Sequence, residues 1–305
     1  MAHELLIALA SDDNNNLFAS SLNWPITMET AIKRSVSMGT KMIAFSRFIF
    51  GMLYLRATNR QTIARVPIPN VDFPLVDMAN YCHTEACYSI LNKEETQKLI
   101  ERCRQEGVTV TSVVSTAILC SVSTLVKSEA NQPTALHFSI GADTRRRCTP
   151  PIPNHDLSYH VSGMMSFILP SRDVPTTAAG MWQLAQAFGQ HTKTCIDAGQ
   201  VLALGMIMGK IYEKILGTPN LAEFPTCGIS SWGILPFQEH YGQWKLTAMT
   251  PFVNYIRGVM PFMIMQTVNG ILTIMFVGTD PTVPLNILET LRDSTTQILH
   301  QMIEA

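Results

Sequence analysis

Apolar residues recur along this chain in two periods, and the changes from one to the other outline its elements. Leu99, Ile100 and Cys103 share one side of a helical repeat that opens at Asn92 and stops at Gly107. Glu95, three residues after Asn92, completes a capping-box signature. Val113, Ala117, Ile118, Val122 and Leu125 continue at helical spacing through 111–127, with small Ser and Thr residues between them, which predicts a helix buried on both sides. The period then shortens to two. Over 135–143, Leu136, Phe138 and Ile140 share one face of a strand and His137, Ser139 and Gly141 the other. If the extended geometry continues, Asp143 and Arg145 join the polar face. Val161–Leu169 reads as a second, more apolar strand, 174–197 and 200–216 as helices closed by Gly217 and Pro219, and 226–232 as a strand. Two apolar strands then flank Asn269 and Gly270, the strongest short hairpin signal in the chain, before an amphipathic helix at Leu285–Ile303.

The front of the chain is different. Leu5, Leu6 and Leu9 give a helix with no N-cap before it, and the polar run Ser11–Asn16 ends it. Residues 21–80 carry Pro25, Pro67, Pro69 and Pro74 around a helical spacing at Met28–Leu55, which reads as a long connection lying on a larger body. The expected division is therefore 1–20 as a remnant helix, 21–84 as a crossover linker with a helical segment, and 85–305 as a lobe. The interleaved strands and helices predict an α/β (α+β) fold, a mixed sheet with helices packed mainly on one face.

Composition narrows the function classes. Hydrophobic residues make up 47% of the 305 residues against 15% charged, and the net charge of −1 argues against a broad nucleic-acid footprint. The low charge and 17 methionines suggest that much surface is covered by a tunnel, a partner or another part of the same fold. No uninterrupted apolar run reaches the length of a membrane span, and the start lacks the basic region and cleavage site of a signal peptide. Seven scattered cysteines suit reduced thiols in a cytoplasmic protein.

Few residues announce chemistry. Cys82, His83 and Cys87 form a close Cys/His cluster without the second pair that a zinc site needs, so free thiols in a linker are expected and no metal. There is no GxGxxG, phosphate loop, GxSxG elbow or HExxH. His155 beside Asp156 sits in a Pro-rich loop and reads as a solvated histidine; His137, on the polar strand face, is better placed, as a cavity-lining group. The stretch 141–153, GADTRRRCTPPIP, ends that strand in charge, either solvated or lining a cavity, and Asp143 is the nearest carboxylate for Arg145. In 224–237, Ser230, Ser231, Trp232 and Gly233 place two hydroxyls and an indole where a glycine backbone admits close approach, walling a substrate or filling a core corner.

Three segments in order, LNKEETQKLIERCRQEGVTVTSVVSTAIL, GADTRRRCTPPIP and SSWGILPFQEHYGQW, resemble the condensation-domain-like acyltransferases. That superfamily includes nonribosomal peptide condensation domains, polyketide-associated and alcohol acyltransferases, and the plant BAHD enzymes. The match covers roughly residues 85 to 305, as the second lobe of a chloramphenicol-acetyltransferase-like two-lobe fold. The resemblance implies acyl transfer from a thioester, on CoA or a carrier protein, to an alcohol or amine, with no bound cofactor. It also implies a general base in an HHxxxDG motif. None of the eight histidines has Asp four residues on, and no His-His pair occurs. The expectation is a chain that starts just past its catalytic motif, lacking roughly 100 to 150 residues of first lobe. No catalytic residue is then assigned. Arg145, supported by Asp143, matches the family's interlobe arginine, and Ser230, Ser231, Trp232, Gly233, His137 and Ser139 line the substrate channel. The expected partners are the thioester, its acceptor, and a complementary first lobe or carrier protein. Two alternatives stay open: a non-catalytic binding or assembly protein reusing this lobe, and a shortened enzyme in which His137 is the base.

Overall fold

A computed structural model describes residues 26–39, 62–67, 73–126, 134–153, 159–207 and 224–305, with a few isolated single positions and pairs elsewhere. Among the described residues, helices α1 (Met28–Ser35), α2 (Met78–Tyr81), α3 (Lys93–Gln105), α4 (Val110–Leu125), α5 (Ala178–Asp197), α6 (Gln200–Gly205) and α7 (Leu285–Glu304) interleave with nine strands. These are β1 (Thr62–Ile63), β2 (His83–Leu91), β3 (Thr134–Asp143), β4 (Val161–Pro170), β5 (Cys227–Ile234), β6 (His240–Tyr241), β7 (Trp244–Lys245), β8 (Phe262–Val268) and β9 (Ile271–Asp280). Seven of them form one mixed sheet, with order β1-β3-β5-β8-β9-β2 and β4 beside β3; β6 and β7 make a separate hairpin. β3, β5 and β8 run parallel, whereas β8–β9, β9–β2 and β3–β4 are antiparallel.

Local signals set most boundaries. Asn92 caps α3 through the Glu94 and Glu95 amides at 2.9 and 3.0 Å, and Glu95 returns a carboxylate to the Asn92 amide at 2.9 Å, so the capping box is complete. The β8–β9 turn places Asn269 at φ 50° and Gly270 at φ 80°, the left-handed pair that a two-residue hairpin requires.

The main core lies between the sheet and one layer of helices. Leu136, Phe138, Ile140, Ile229, Met263, Met265, Ile274 and Phe276 point from the strands into α3, α4, α5 and α7. On the opposite face, Ile264, Met275 and Val277 are covered by Val253, Tyr255 and Phe262. This is the mixed sheet with helices on one face that the periodicity predicts. No single helix among the described residues is long and apolar enough to cross a membrane.

The connection contributes more than its sequence suggests. β1 adds a parallel strand to the sheet at Thr62↔Thr134 and Ile63↔Ala135. His83 and Cys87 belong to β2 and not to a linker, because residues 83–91 pair throughout with β9. α1 builds a small core of its own with Cys148 and Ile152, and Ser35 Oγ accepts a hydrogen bond from the Thr149 amide at 2.7 Å. α5 and α6 end at Asp197 and Gly205, and the positions expected to close a longer second helix, Gly217 and Pro219, lie outside the described residues. So do His155, Asp156 and most of the remnant helix expected at 1–20.

Candidate functional site

The face of β3 and β5 turned away from the helices carries the candidate chemistry. β4 takes one edge of β3 along nearly its whole length, so β1 and β5 share the other edge in succession. Thr226 closes the seam between them. Its buried hydroxyl accepts from the His137 amide at 2.9 Å and donates to the Ala64 carbonyl at 2.6 Å, while its own amide bonds the His137 carbonyl at 2.9 Å. Just beyond the seam, β3 and β5 run in register with Ser139 level with Gly228. A Cβ at Gly228 would stand 2.9 Å from the Phe262 ring and 3.2 Å from Ser139 Cβ, so only glycine leaves this row packed. Ser230 lies on the same face, its hydroxyl over Gly141.

The adjacent serines part company. Ser231 faces the helix layer, where its hydroxyl bonds Thr111 Oγ1 in the first turn of α4 at 3.0 Å. A bulge follows between Ser231 and Gly233, with Gly233 at φ 69° and Trp232 left 39% exposed. The structure thus brings His137, Ser139 and Ser230 to one face, and sets Trp232 and Gly233 at its end.

Sequence reading did not single out Gln266. It stands level with Gly233 on β8, buried, its amide nitrogen donating to the Met249 carbonyl at 2.8 Å and its Oε1 buried with no hydrogen-bond partner among the described residues. The signal was available: a lone amide inside FMIMQTV is a polar group that a buried strand tolerates only with partners.

His137 is tuned by burial. Desolvation depresses the pKa of its imidazole, and the positive charge of Arg65 lowers it further. Its Nε2 is buried with no hydrogen-bond partner among the described residues. The unfolded chain takes up this proton at the ordinary value of 6.5 and the folded chain only at lower pH, so stability holds above 6.5 and is lost as pH falls through the folded value. His137→Gln is expected to flatten that acid limb. Denaturant unfolding at about pH 5 and about pH 7 checks it: an undiminished pH dependence in the variant would place the sensitivity elsewhere.

The arginine turn differs from the extrapolated strand. Arg145 does not continue the polar face, because Thr144 leaves the extended region, bonds the His160 carbonyl through its amide at 2.9 Å, and starts a 3-10 turn at Arg145–Arg147. Asp143 then receives both the Arg145 amide at 3.0 Å and the Arg145 guanidinium at 3.3 Å. Arg147 donates to the Asp143 carbonyl at 3.0 Å. With Asp143 about half exposed, the Arg145 ion pair contributes about 1 kcal/mol or less.

In the Cys/His cluster, Cys87 is buried and desolvation pushes its thiol up to about 11, whereas His83 bonds Glu85 at 2.9 Å. Among the described residues no group of three or more potential ligands gathers to hold a metal. The cavity lined by Arg65, Phe224, Pro225, Thr226 and Met260 measures about 10 Å³, room for about one water.

The family described as phthiocerol/phthiodiolone dimycocerosyl transferase C-terminus matches residues 83–277, well over half of the chain. The chain belongs to this family. The transferase C-terminal match spans β2 to β9 and so includes the whole candidate face. Comparison with curated proteins gives no match. Among solved structures, a trichothecene 15-O-acetyltransferase from Fusarium sporotrichioides superposes with a TM-score of 0.77 at 10% identity, over 99% of this chain and 62% of that one. Polyketide synthase associated protein 5 from Mycobacterium tuberculosis gives 0.63 at 17% identity, over 98% and 69%. A nonribosomal peptide synthetase cyclization-docking bidomain from Sorangium cellulosum gives 0.57 at 14% identity, over 90% and 51%. At these identities the likeness is one of fold. The chain spans 62% of the length of the first of these structures. The transferase C-terminal family and the acyltransferase and condensation-domain neighbours together fit the second lobe of a condensation-like, CoA-dependent acyltransferase superfamily.

Proposed function

We propose that this chain is the second lobe of a thioester-dependent acyltransferase, moving an acyl group from CoA or a carrier protein to an alcohol or amine. The family match over residues 83–277 carries the reading. In it, Ser139, Ser230, Trp232 and His137 wall the acceptor side of a channel that a first lobe completes, and Arg145 with Asp143 sits at the lobe junction. Ser231 supports the wall from behind through Thr111. The general base comes from an HHxxxDG segment, which this sequence does not contain. Free thiols throughout the described cysteines suit a reducing compartment, and the cytoplasm is the proposed location.

The test is an acyl-CoA assay of the chain alone and mixed with a separately produced first lobe bearing HHxxxDG. Transfer is expected only in the mixture, at about 10² to 10⁴ times the rate of the chain alone. Robust turnover by the isolated chain would overturn the missing-base argument and turn attention to His137 as base, which His137→Ala then probes. Thioester binding with no turnover in either sample would favour the second reading, a binding or assembly protein that keeps the lobe without its chemistry.

A further inference from the structure

β2 ends the sheet. Among the described residues it has β9 on one side and no strand on the other, and it pairs with β9 through all nine residues without a bulge. Natural edge strands are usually blunted by lysine, proline, a bulge or brevity, because their outward N–H and C=O groups template another strand. HTEACYSIL has none of these, and Glu85, on the helix side with Cys87 and Leu91, is the one inward charge on the strand. Beside the edge, Ser89 and Ile90 from β2 and Arg292, Thr296 and His300 from α7 line a groove of about 480 Å³, with Ile90 62% exposed. Ser89 Oγ and Thr296 Oγ1 are bonded at 2.7 Å, which ties the strand edge to the helix.

The edge is complementary to itself. Antiparallel pairing about a two-fold axis normal to the sheet and passing by Cys87 sets Glu85 opposite Ser89, Ala86 opposite Tyr88 and Thr84 opposite Ile90. Ala86 and Tyr88 belong to the apolar cluster on the face away from the helices, so contacts there are apolar. On the helix side, Glu85 of one copy reaches the groove that holds Arg292, Asp293 and His300 of the other. Arg292 there already bonds Asp293 at 2.8 Å and His300 lies 3.4 Å from Glu95, so Glu85 joins an existing ion-pair network rather than meeting an unpaired cation, and no like charges stand opposite one another on the strands. A two-fold axis makes each such contact twice.

Helix spacing agrees with this arrangement. α7 packs on both β2 and β9, so its axis lies over the gap between them. With strands about 4.8 Å apart, that axis stands about 5 Å from the two-fold, and the two copies of α7 come to about 10 Å, the ordinary separation of packed helices. We infer that two copies of this chain associate by continuing the sheet through the β2 edge, with Glu85 of each engaging the Arg292 groove of the other.

Sedimentation of the full chain up to concentrations on the order of 100 µM tests this, together with amide exchange over residues 83–91. A dimer with slowed exchange in β2 is expected. Glu85→Arg and Arg292→Glu should each weaken dimerisation about tenfold or more, and an equimolar mixture of the two variants should recover it, since each supplies the charge the other lacks. Thermal unfolding of each variant separates loss of pairing from loss of fold. A chain that stays monomeric, or a dimer unaffected by Glu85→Arg and unprotected over 83–91, would overturn the inference. So would preferential capture of a separate first lobe at this edge.

Discussion

Thr226→Val is expected to destabilise the protein by about 2 to 4 kcal/mol, although valine has nearly the same shape. The hydroxyl it removes bridges the seam where β1 leaves β3 and β5 arrives. Without it the His137 amide and the buried Ala64 carbonyl lose their partners, and each stranded group costs about 1 to 3 kcal/mol. Thr226→Ser keeps the oxygen and should recover most of the loss. The consequence for the site is as direct as that for stability, because the same bond fixes the backbone of His137 on the candidate face. Denaturant unfolding measures the first effect, and amide exchange at His137 the second. A loss below about 1 kcal/mol would mean that water replaces the hydroxyl at the seam, and that the seam is more open than its burial indicates.

Why Thr226 escaped sequence reading shows where that reading stops. A threonine before an apolar strand is unremarked, and its partners, Ala64 and His137, are far away in the chain. Signals contained in one segment were legible: the Asn92–Glu95 box, the Asn269–Gly270 turn, and the two faces of β3. β2 was not, because its pairing partner β9 begins some 180 residues later and nothing local marks residues 83–91 as a strand beyond a weak alternation. A two-residue strand such as β1 carries no periodicity at all. Arg145 failed for another reason. Alternation was carried past Asp143, but the bond between Thr144 and His160, a contact across the β3–β4 connection, turns the chain there. Ser230 and Ser231 were both read onto the channel; that Ser231 turns instead to the helices depends on Thr111, 120 residues earlier. The candidate face was thus readable in its residue types, and its assembly was not.

Phe188→Ala should have the largest effect of any single truncation considered, about 3 to 5 kcal/mol. Phe188 is 1% exposed and meets two other rings edge-on, Phe138 at 5.6 Å and 77° and Phe167 at 5.2 Å and 63°. The cost lies toward the upper end because alanine forfeits both ring pairs, each contributing about 0.5 to 1.5 kcal/mol beyond burial, and leaves a cavity between α5, β3 and β4. Phe188→Leu, which fills much of that volume, should lose far less. Phe252→Ala provides the contrast: at 67% exposure its ring loses little, within about 0.5 kcal/mol. Phe138 is the hinge of the functional consequence. It alternates with His137 and Ser139, so the ring that anchors α5 and the groups on the candidate face share one strand. Below its lowered melting point, and under the proposed acyltransferase reading, Phe188→Ala assayed together with a first lobe should therefore lose turnover in proportion to the unfolded fraction while KM stays unchanged, since Phe188 lies behind the sheet. A raised KM at full folding would instead mean that β3 shifts when its backing ring is removed, and that the helix layer sets the position of His137 and Ser139 as well as the stability of the strand beneath them.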